Sequence, residues 1–403
     1  MNGSTTATPT RSLVVALSGG IGGAKLVLGL SRVVAPADLV VVANTGDDFE
    51  HLGLAISPDL DTLMYVLAGL DDQQRGWGRR NETWSFMAAL AALGGETWFQ
   101  LGDGDLATHV ERTRRRASGE TLSAVTAAFC RRLGIVPRIV PMSDDKVCTR
   151  LRTDEGWLDF QDYFVHRRSG PAVMELAYEG AATAHAQPDA LAALRDPRLR
   201  AVVICPSNPF ISIEPILAVP GMREAIATCD APVVAVSPII GGRAVKGPTA
   251  KMMAELGLAV NVASVALRYG DLLDGYVVDH ADADEAAALG IPATTAHTLM
   301  TTLDEREQLA RHVLATADAA FTASPSSVII LAVGPVIARP LMIGDTATTG
   351  AAQFAIASRM PGTARIGSML MNGLDGQITT ARKRGSRNAA SASAWARAVA
   401  APS

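Results

Sequence analysis

The sequence predicts an α/β protein: a Rossmann-like, doubly wound, mostly parallel sheet with a smaller α/β insertion and a flexible C-terminal tail. Three observations carry this. Short, wholly apolar runs recur at 13–17, 39–43, 201–205 and 233–236, the pattern of strands buried on both faces. Each ends in a small polar turn, where open parallel sheets hold their ligands. Stretches with apolar residues at helical spacing lie between them.

Taken in order, residues 1–12 are polar and Thr/Ser-rich and read as a frayed arm; the apolar residues that follow run into glycines, which argues against a secretory signal. The run at 13–17 enters Ser18-Gly19-Gly20-Ile21-Gly22-Gly23, and 24–30 is helical, giving strand, phosphate-sized loop and helix. A second strand at 39–43 ends in Asn44-Thr45-Gly46-Asp47-Asp48, with Asp59 and Asp61 in a Pro-containing turn soon after. Helices are expected at 62–70 and 84–93, and an apolar, aromatic strand at 97–101 opening into Gly102-Asp103-Gly104-Asp105-Leu106-Ala107-Thr108-His109 and an Arg-rich helix. A helix over 121–133 is closed by Gly134, and a strand at 137–140 follows. Residues 147–179 alternate polar and apolar side chains and predict a β-rich insertion, placed at about 147–198. The parallel pattern then returns, with strands at 201–205 and 233–236, helices at 251–256 and 264–267, a last strand at 275–278 and a closing helix at 303–317. One domain over 13–317 results. The Ala/Ser/Thr/Gly-rich stretch 318–403 has low packing potential, and after Ala381 it carries only basic charges, so it reads as a flexible tail.

At 403 residues, 48 % hydrophobic and 19 % charged, the chain is ordinary for a soluble globular enzyme. A net charge of −4 gives no global attraction to nucleic acid or anionic membrane, so the expected partners are small molecules. The four cysteines form no CxxC pair, which points away from zinc and disulfides and towards a reducing, cytoplasmic setting. The apolar stretch 328–343 is broken by Pro335, Arg339 and Pro340 and is shorter than the roughly 20 residues of a membrane helix, so no membrane contact is expected.

The glycine loop can offer backbone N–H groups and the positive end of a helix to a phosphate, with Lys25 as a nearby cation. It is neither a Walker A loop nor a GxGxxG turn, and a tight turn packing helix on strand is the plain alternative. The aspartates say more. Asp47, Asp48, Asp59, Asp61, Asp103 and Asp105 singly read as caps, but three acidic turns at one sheet edge beside a phosphate loop call for a hard divalent cation, Mg²⁺, between protein and diphosphate. Ser207 and Asn208, between two prolines, can hydrogen-bond a base or ribose or simply end a strand; Arg243 and Lys246 can meet phosphate or stay solvated; His109 is the one histidine considered for the site, with packing as its alternative. No Ser/His/Asp or Cys/His arrangement is visible, so the chemistry reads as phosphate handling.

With these residues collected, the chain resembles the 2-phospho-L-lactate transferase family, which builds the deazaflavin coenzyme F-420. The stretches that carry the resemblance are SGGIGGAKL from Ser18, NTGDD from Asn44, SPDLDT from Ser57, LGDGDLATH from Leu101, PMSDD from Pro141, PSNPFISI from Pro206, VPGMRE from Val219 and VSPIIGGRAVKGPTAKMM from Val236. The resemblance implies a homodimer and a Mg²⁺-dependent transfer. In that reaction the ribityl hydroxyl of 7,8-didemethyl-8-hydroxy-5-deazariboflavin attacks the acid-bearing phosphate of a guanosine diphosphate-linked donor, and GMP leaves. It assigns the metal to Asp47 and Asp48, the acceptor side to Asp61, which is also the candidate base, and a substrate contact to Gln100 at a position where related sequences often carry a basic residue. Ser18, Gly19, Gly20, Gly22, Gly23, Lys25, Asn44, Thr45, Ser207, Asn208 and Arg243 complete the expected substrate contacts. Phosphoenolpyruvate, 2-phospho-L-lactate and 3-phosphoglycerate are all candidate cargoes; the Ala/Arg-rich composition tilts towards the enolpyruvyl donor. A nucleotide-sugar-binding regulator of the same superfamily and a nicotinamide-dependent dehydrogenase are the rival readings. The first need not keep the Asp61 turn, and the second lacks its GxGxxG loop.

Overall fold

Strands made only of Val, Leu, Ile and Ala have no face to give to water, and the chain covers them on both sides. The computed structural model describes residues 10–245 and 247–323; residues 1–9 of the expected arm, Lys246 and residues 324–403 of the expected tail lie outside the described residues, while Arg11, within the expected arm, donates to the Leu199 and Asp230 carbonyls. The central strands are β1 Leu13–Ser18, β2 Leu39–Ala43, β3 Arg138–Pro141, β4 Leu199–Ile204, β5 Val233–Val236, β6 Gly275–Asp279 and β7 Ala293–Ala296. They lie in the spatial order β3-β2-β1-β4-β5-β6-β7, and every pairing is parallel. This is the doubly wound Rossmann order with one further edge strand.

Alternate residues of each strand feed two separate cores. Val14, Ala16, Val41 and Val203 pack under helix α1, Gly20–Val33, helix α2, Pro58–Leu67, and the C-terminal helix Leu303–Ala323. Val15, Leu17, Val40 and Ile204 face the other way, onto the helices Pro188–Leu194, Met222–Thr228 and Val262–Tyr269. The segment 148–179 forms a three-stranded antiparallel sheet, Cys148–Thr153 with Gly156–Asp159 and Val173–Glu179, whose Leu151, Leu158 and Val173 join the second core.

Several elements differ from expectation. Helix α1 starts at Gly20, so most of the expected glycine loop is the first turn of a helix. Asp59 and Asp61 likewise sit in the first turn of α2, which Pro58 opens with its preset φ. Residues 97–101 are not a strand: Trp98 packs tilted and Phe99 edge-on against Phe49, and Trp98 also packs edge-on against His51, of the hairpin Phe49–His51/Leu54–Ile56, and this aromatic packing outweighs strand propensity. The strand expected to be last is followed by β7, whose short Ala-Thr-Thr-Ala sequence carries little strand signal. The closing helix runs on to Ala323.

The connections diverge at one place: from β1 the chain winds out through β2 to β3, then returns to the far side of β1 as β4. The crevice between the ends of β1 and β4 is where such sheets bind ligands. There the backbones nearly touch, since a Cβ on Gly22 would stand 2.6 Å from the carbonyl oxygen of Pro206. Gly22→Ala is expected to destabilise the fold by about 1–3 kcal/mol through overpacking, read as a lowered midpoint in urea denaturation; an unchanged midpoint would show that α1 can shift away from β4.

Candidate active site

Ser207, just beyond β4, joins the two sides of the crevice: its hydroxyl donates to the Gly19 carbonyl at 2.7 Å and accepts the Gly19 N–H at 3.3 Å. Gly20 turns the chain into α1 at φ +64°, a conformation that favours glycine, and its N–H donates to Asp59 Oδ1 at 2.5 Å. Apart from that Asp59 bond no side chain caps α1, and its own first turn holds no acid, so the remaining N–H groups of its positive end face the crevice. Asn44, fully buried at the end of β2, ties the next layer together by donating to Asp47 Oδ1 at 3.1 Å, Asp59 Oδ2 at 2.9 Å and the Ile211 carbonyl at 3.1 Å.

These bonds gather Asp47, Asp48, Asp59 and Asp61 from the end of β2 and the start of α2. Burial, with the neighbouring Asp59 and Asp48 charges, pushes Asp47 well above the usual carboxylate range. Burial does the same to Asp48, against the pull of its Ser57 hydrogen bond at 2.7 Å. It lifts Asp59 to about 6, against hydrogen bonds from Asn44 and Gly20. Asp48 Oδ1 is sealed from solvent and accepts no hydrogen bond. Buried hard oxygen donors with this excess of negative charge, one of them unpartnered, form the kind of set that takes Mg²⁺.

The sequence reading missed the counter-charge. Arg112, on the helix Asp103–Ala117, is fully buried and grips both oxygens of Asp61, with Nη1 at 3.1 Å and Nη2 closer still. His109, one turn before it, lies 3.6 Å from Asp61 and 3.2 Å from Asp105, whose other oxygen accepts the Tyr65 hydroxyl at 2.6 Å. Asp61, Asp105 and His109 are close enough together to share an ion, but Arg112 already neutralises Asp61. The signal for Arg112 was its spacing from His109 on one helix face; without the fold nothing aimed that face at Asp61.

The other expected residues divide. Ser18 and Thr45 are buried at the strand ends, each with a hydroxyl lacking a hydrogen-bond partner. Lys25 lies one turn into α1 and donates to the Met300 carbonyl at 2.7 Å. Asn208 spends its side-chain oxygen capping the turn Pro209–Ile213 through the Phe210 and Ile211 N–H groups. Gln100 is exposed and bonds its own loop at the Thr97 carbonyl, 2.7 Å away. Arg243 is exposed on the small hairpin Ile239–Ile240/Arg243–Ala244. Asp103 is an N-terminal cap, accepting from the Ser85 and Phe86 N–H groups of the helix Ser85–Ala92.

The model of the family described as 2-phospho-L-lactate transferase CofD matches residues 14–318. The chain belongs to the CofD family. It is 44 % identical over 315 residues to a protein of Kitasatospora aureofaciens named phosphoenolpyruvate transferase, covering 76 % of this chain and 98 % of that one. It is 40 % identical over 304 residues to a 2-phospho-L-lactate transferase of Methanosarcina mazei, covering 75 % and 99 %. A crystal structure of a upf0052-family protein from Bacillus halodurans shares the fold, with a TM-score of 0.51 at 14 % identity over 76 % of this chain and 99 % of that one. As a member of this family the chain is a transferase, and among its described residues no helix is long and apolar enough to cross a membrane.

Two outcomes follow from the charge arrangement. Arg112→Ala strands the Asp61 carboxylate and is expected to cost about 3–5 kcal/mol, whereas the Arg112→Ala/Asp61→Asn pair should recover part of that in denaturant titrations. Second, Asp59 binds its proton more tightly folded than unfolded, so with divalent cations chelated its contribution to stability is present below pH 4 and lost as the pH rises through about 6. Asp59→Asn should flatten the melting-temperature profile over that window; an unaltered profile would rule out the raised affinity.

Proposed function

We propose that this transferase acts in coenzyme F-420 biosynthesis with Mg²⁺, moving a phosphoenolpyruvyl group from a guanosine diphosphate-linked donor to the ribityl hydroxyl of 7,8-didemethyl-8-hydroxy-5-deazariboflavin and releasing GMP. The observation that carries the reading is the buried carboxylate group beside the glycine turn, with the unpartnered Asp48 Oδ1 in it. The choice among cargoes leans on relatives such as the Kitasatospora aureofaciens protein, whose name specifies phosphoenolpyruvate.

In this reading Asp47 and Asp48 hold the cation, which when bound offsets the negative charge of the diphosphate. The turn at Gly19 and Gly20 and the amino end of α1 orient the donor phosphates, with Ser207 fixing the turn. Asp61, held by Arg112, accepts a hydrogen bond from the acceptor hydroxyl and aims its oxygen at the phosphorus. A carboxylate so firmly paired is a weak base, and a loose phosphoryl-transfer transition state asks more for alignment than for proton removal.

The test is incubation of the folded protein with the deazaflavin, Mg²⁺ and each of the three guanylyl-linked acids in turn, with product mass as readout. Product is expected with the enolpyruvyl donor; no product with any donor would end the transferase assignment to these substrates. Asp48→Asn should lower turnover by about 100-fold and raise the Mg²⁺ concentration needed for half-maximal rate, without loss of stability because it removes a carboxylate that burial disfavours.

A further inference from the structure

A buried cation is costly unless an opposite charge or a set of acceptors faces it. Arg306, in the first turns of the C-terminal helix, is 3 % exposed, its Nε has no hydrogen-bond partner, and no carboxylate among the described residues forms an ion pair with it. It has little freedom to find one: a Cβ on Gly29 would strike the Arg306 carbonyl oxygen, so the C-terminal helix and α1 touch backbone to backbone at this residue. The side chain lines a groove shared with Ile21 and Lys25 of α1, Thr62 and Tyr65 of α2, and Trp77. Asp71 and Asp72 line the groove too, but Asp72 Oδ1 is taken by the Gln74 and Arg75 N–H groups at 3.0 and 2.9 Å. Ile21 is the second residue of α1, so the positive end of that helix borders the same space. Thr62 follows Asp61 directly, which puts the groove next to the reaction site.

We propose that Arg306, with Lys25 beside it, forms an anion subsite in this groove for a phosphate- or carboxylate-bearing small molecule. A guanidinium desolvated in advance and fixed by helix contact suits either oxyanion, because it presents several N–H donors in a plane. Two sources share that chemistry: the carboxylate of the transferred acid, in which case the inference rests on the function proposed above, and a free anion that binds independently of it.

The experiment uses the full chain with inorganic phosphate as probe and isothermal titration as readout, alongside Arg306→Gln, Arg306→Lys and, as a second position away from the Gly29–Arg306 contact, Lys25→Gln. Folding of each variant is checked by circular dichroism. Arg306→Gln is expected to weaken phosphate binding by about tenfold, with Arg306→Lys retaining most of the affinity and Lys25→Gln losing part of it. Equal affinity in the wild type and both glutamine variants, or no binding by the wild type, would overturn the subsite. Donor kinetics then separate the sources: a donor KM raised about tenfold at nearly constant kcat in Arg306→Gln assigns the anion to the transferred acid, and an unchanged KM assigns it to a separate ligand. Should transfer activity be absent altogether, the function above fails while the phosphate titration still decides this inference.

Discussion

Four aspartates brought together from the end of β2 and the first turn of α2 share one buried guanidinium, and much of the local architecture follows from that imbalance. Of the four, Arg112 hydrogen-bonds only Asp61, and it does so at both of that residue's oxygens. The other three are held by neutral donors: Asn44 for Asp47 and Asp59, Ser57 for Asp48, and the Gly20 N–H for Asp59. Neutral hydrogen bonds lessen the cost of burying charge without cancelling it, which is why burial raises the proton affinity of all three. A site tuned for stability alone would not bury these charges side by side. The arrangement makes sense for a group whose ligand arrives with positive charge and leaves its oxygens already oriented.

The second constraint is steric. The switch point between β1 and β4 needs helix α1 to lie against the chain leaving β4, and Gly19, Gly22 and Gly23 have no room for a Cβ: Gly19 would meet Asp59 and Ser212, Gly22 the Pro206 carbonyl, and Gly23 the Ser18 and Ser207 hydroxyls. Only Gly20 of this run requires a left-handed backbone and has open space around it. The glycines therefore serve close approach more than flexibility, and they place the amino end of α1 at the sheet edge that also carries the acids. Fold and candidate site share these residues, so a change that loosens the packing also moves the acids gathered at the sheet edge.

Much of this was legible in the chain. Short, Val-rich apolar runs bounded by turn residues read as strands buried on both faces, so the parallel sheet, its helices and the ligand-binding edge followed from run length, composition and periodicity. The polar turns at Ser18, Asn44 and Ser207 were visible for the same reason: in such a sheet, polar residues directly after a buried strand must face a crevice. Misreadings came where tertiary contacts overrode local preference, as at residues 97–101, whose aromatic side chains suit a strand but pack on a hairpin, and at Asp103, an acid in a promising turn that caps a neighbouring helix.

The sequence by itself determined the fold class and the family, because both depend on local pattern: the spacing of apolar residues and runs of contiguous motif. Only the tertiary structure decided which charges meet. Asp61 and Arg112 are 51 positions apart, and nothing in their local patterns links them until the fold brings α2 and the helix Asp103–Ala117 within side-chain reach. Arg306 and Lys25 are brought to one groove by the close crossing of α1 and the C-terminal helix. Electrostatic partnership depends on distance and desolvation, and in a doubly wound fold neither is set until crossovers bring distant segments together.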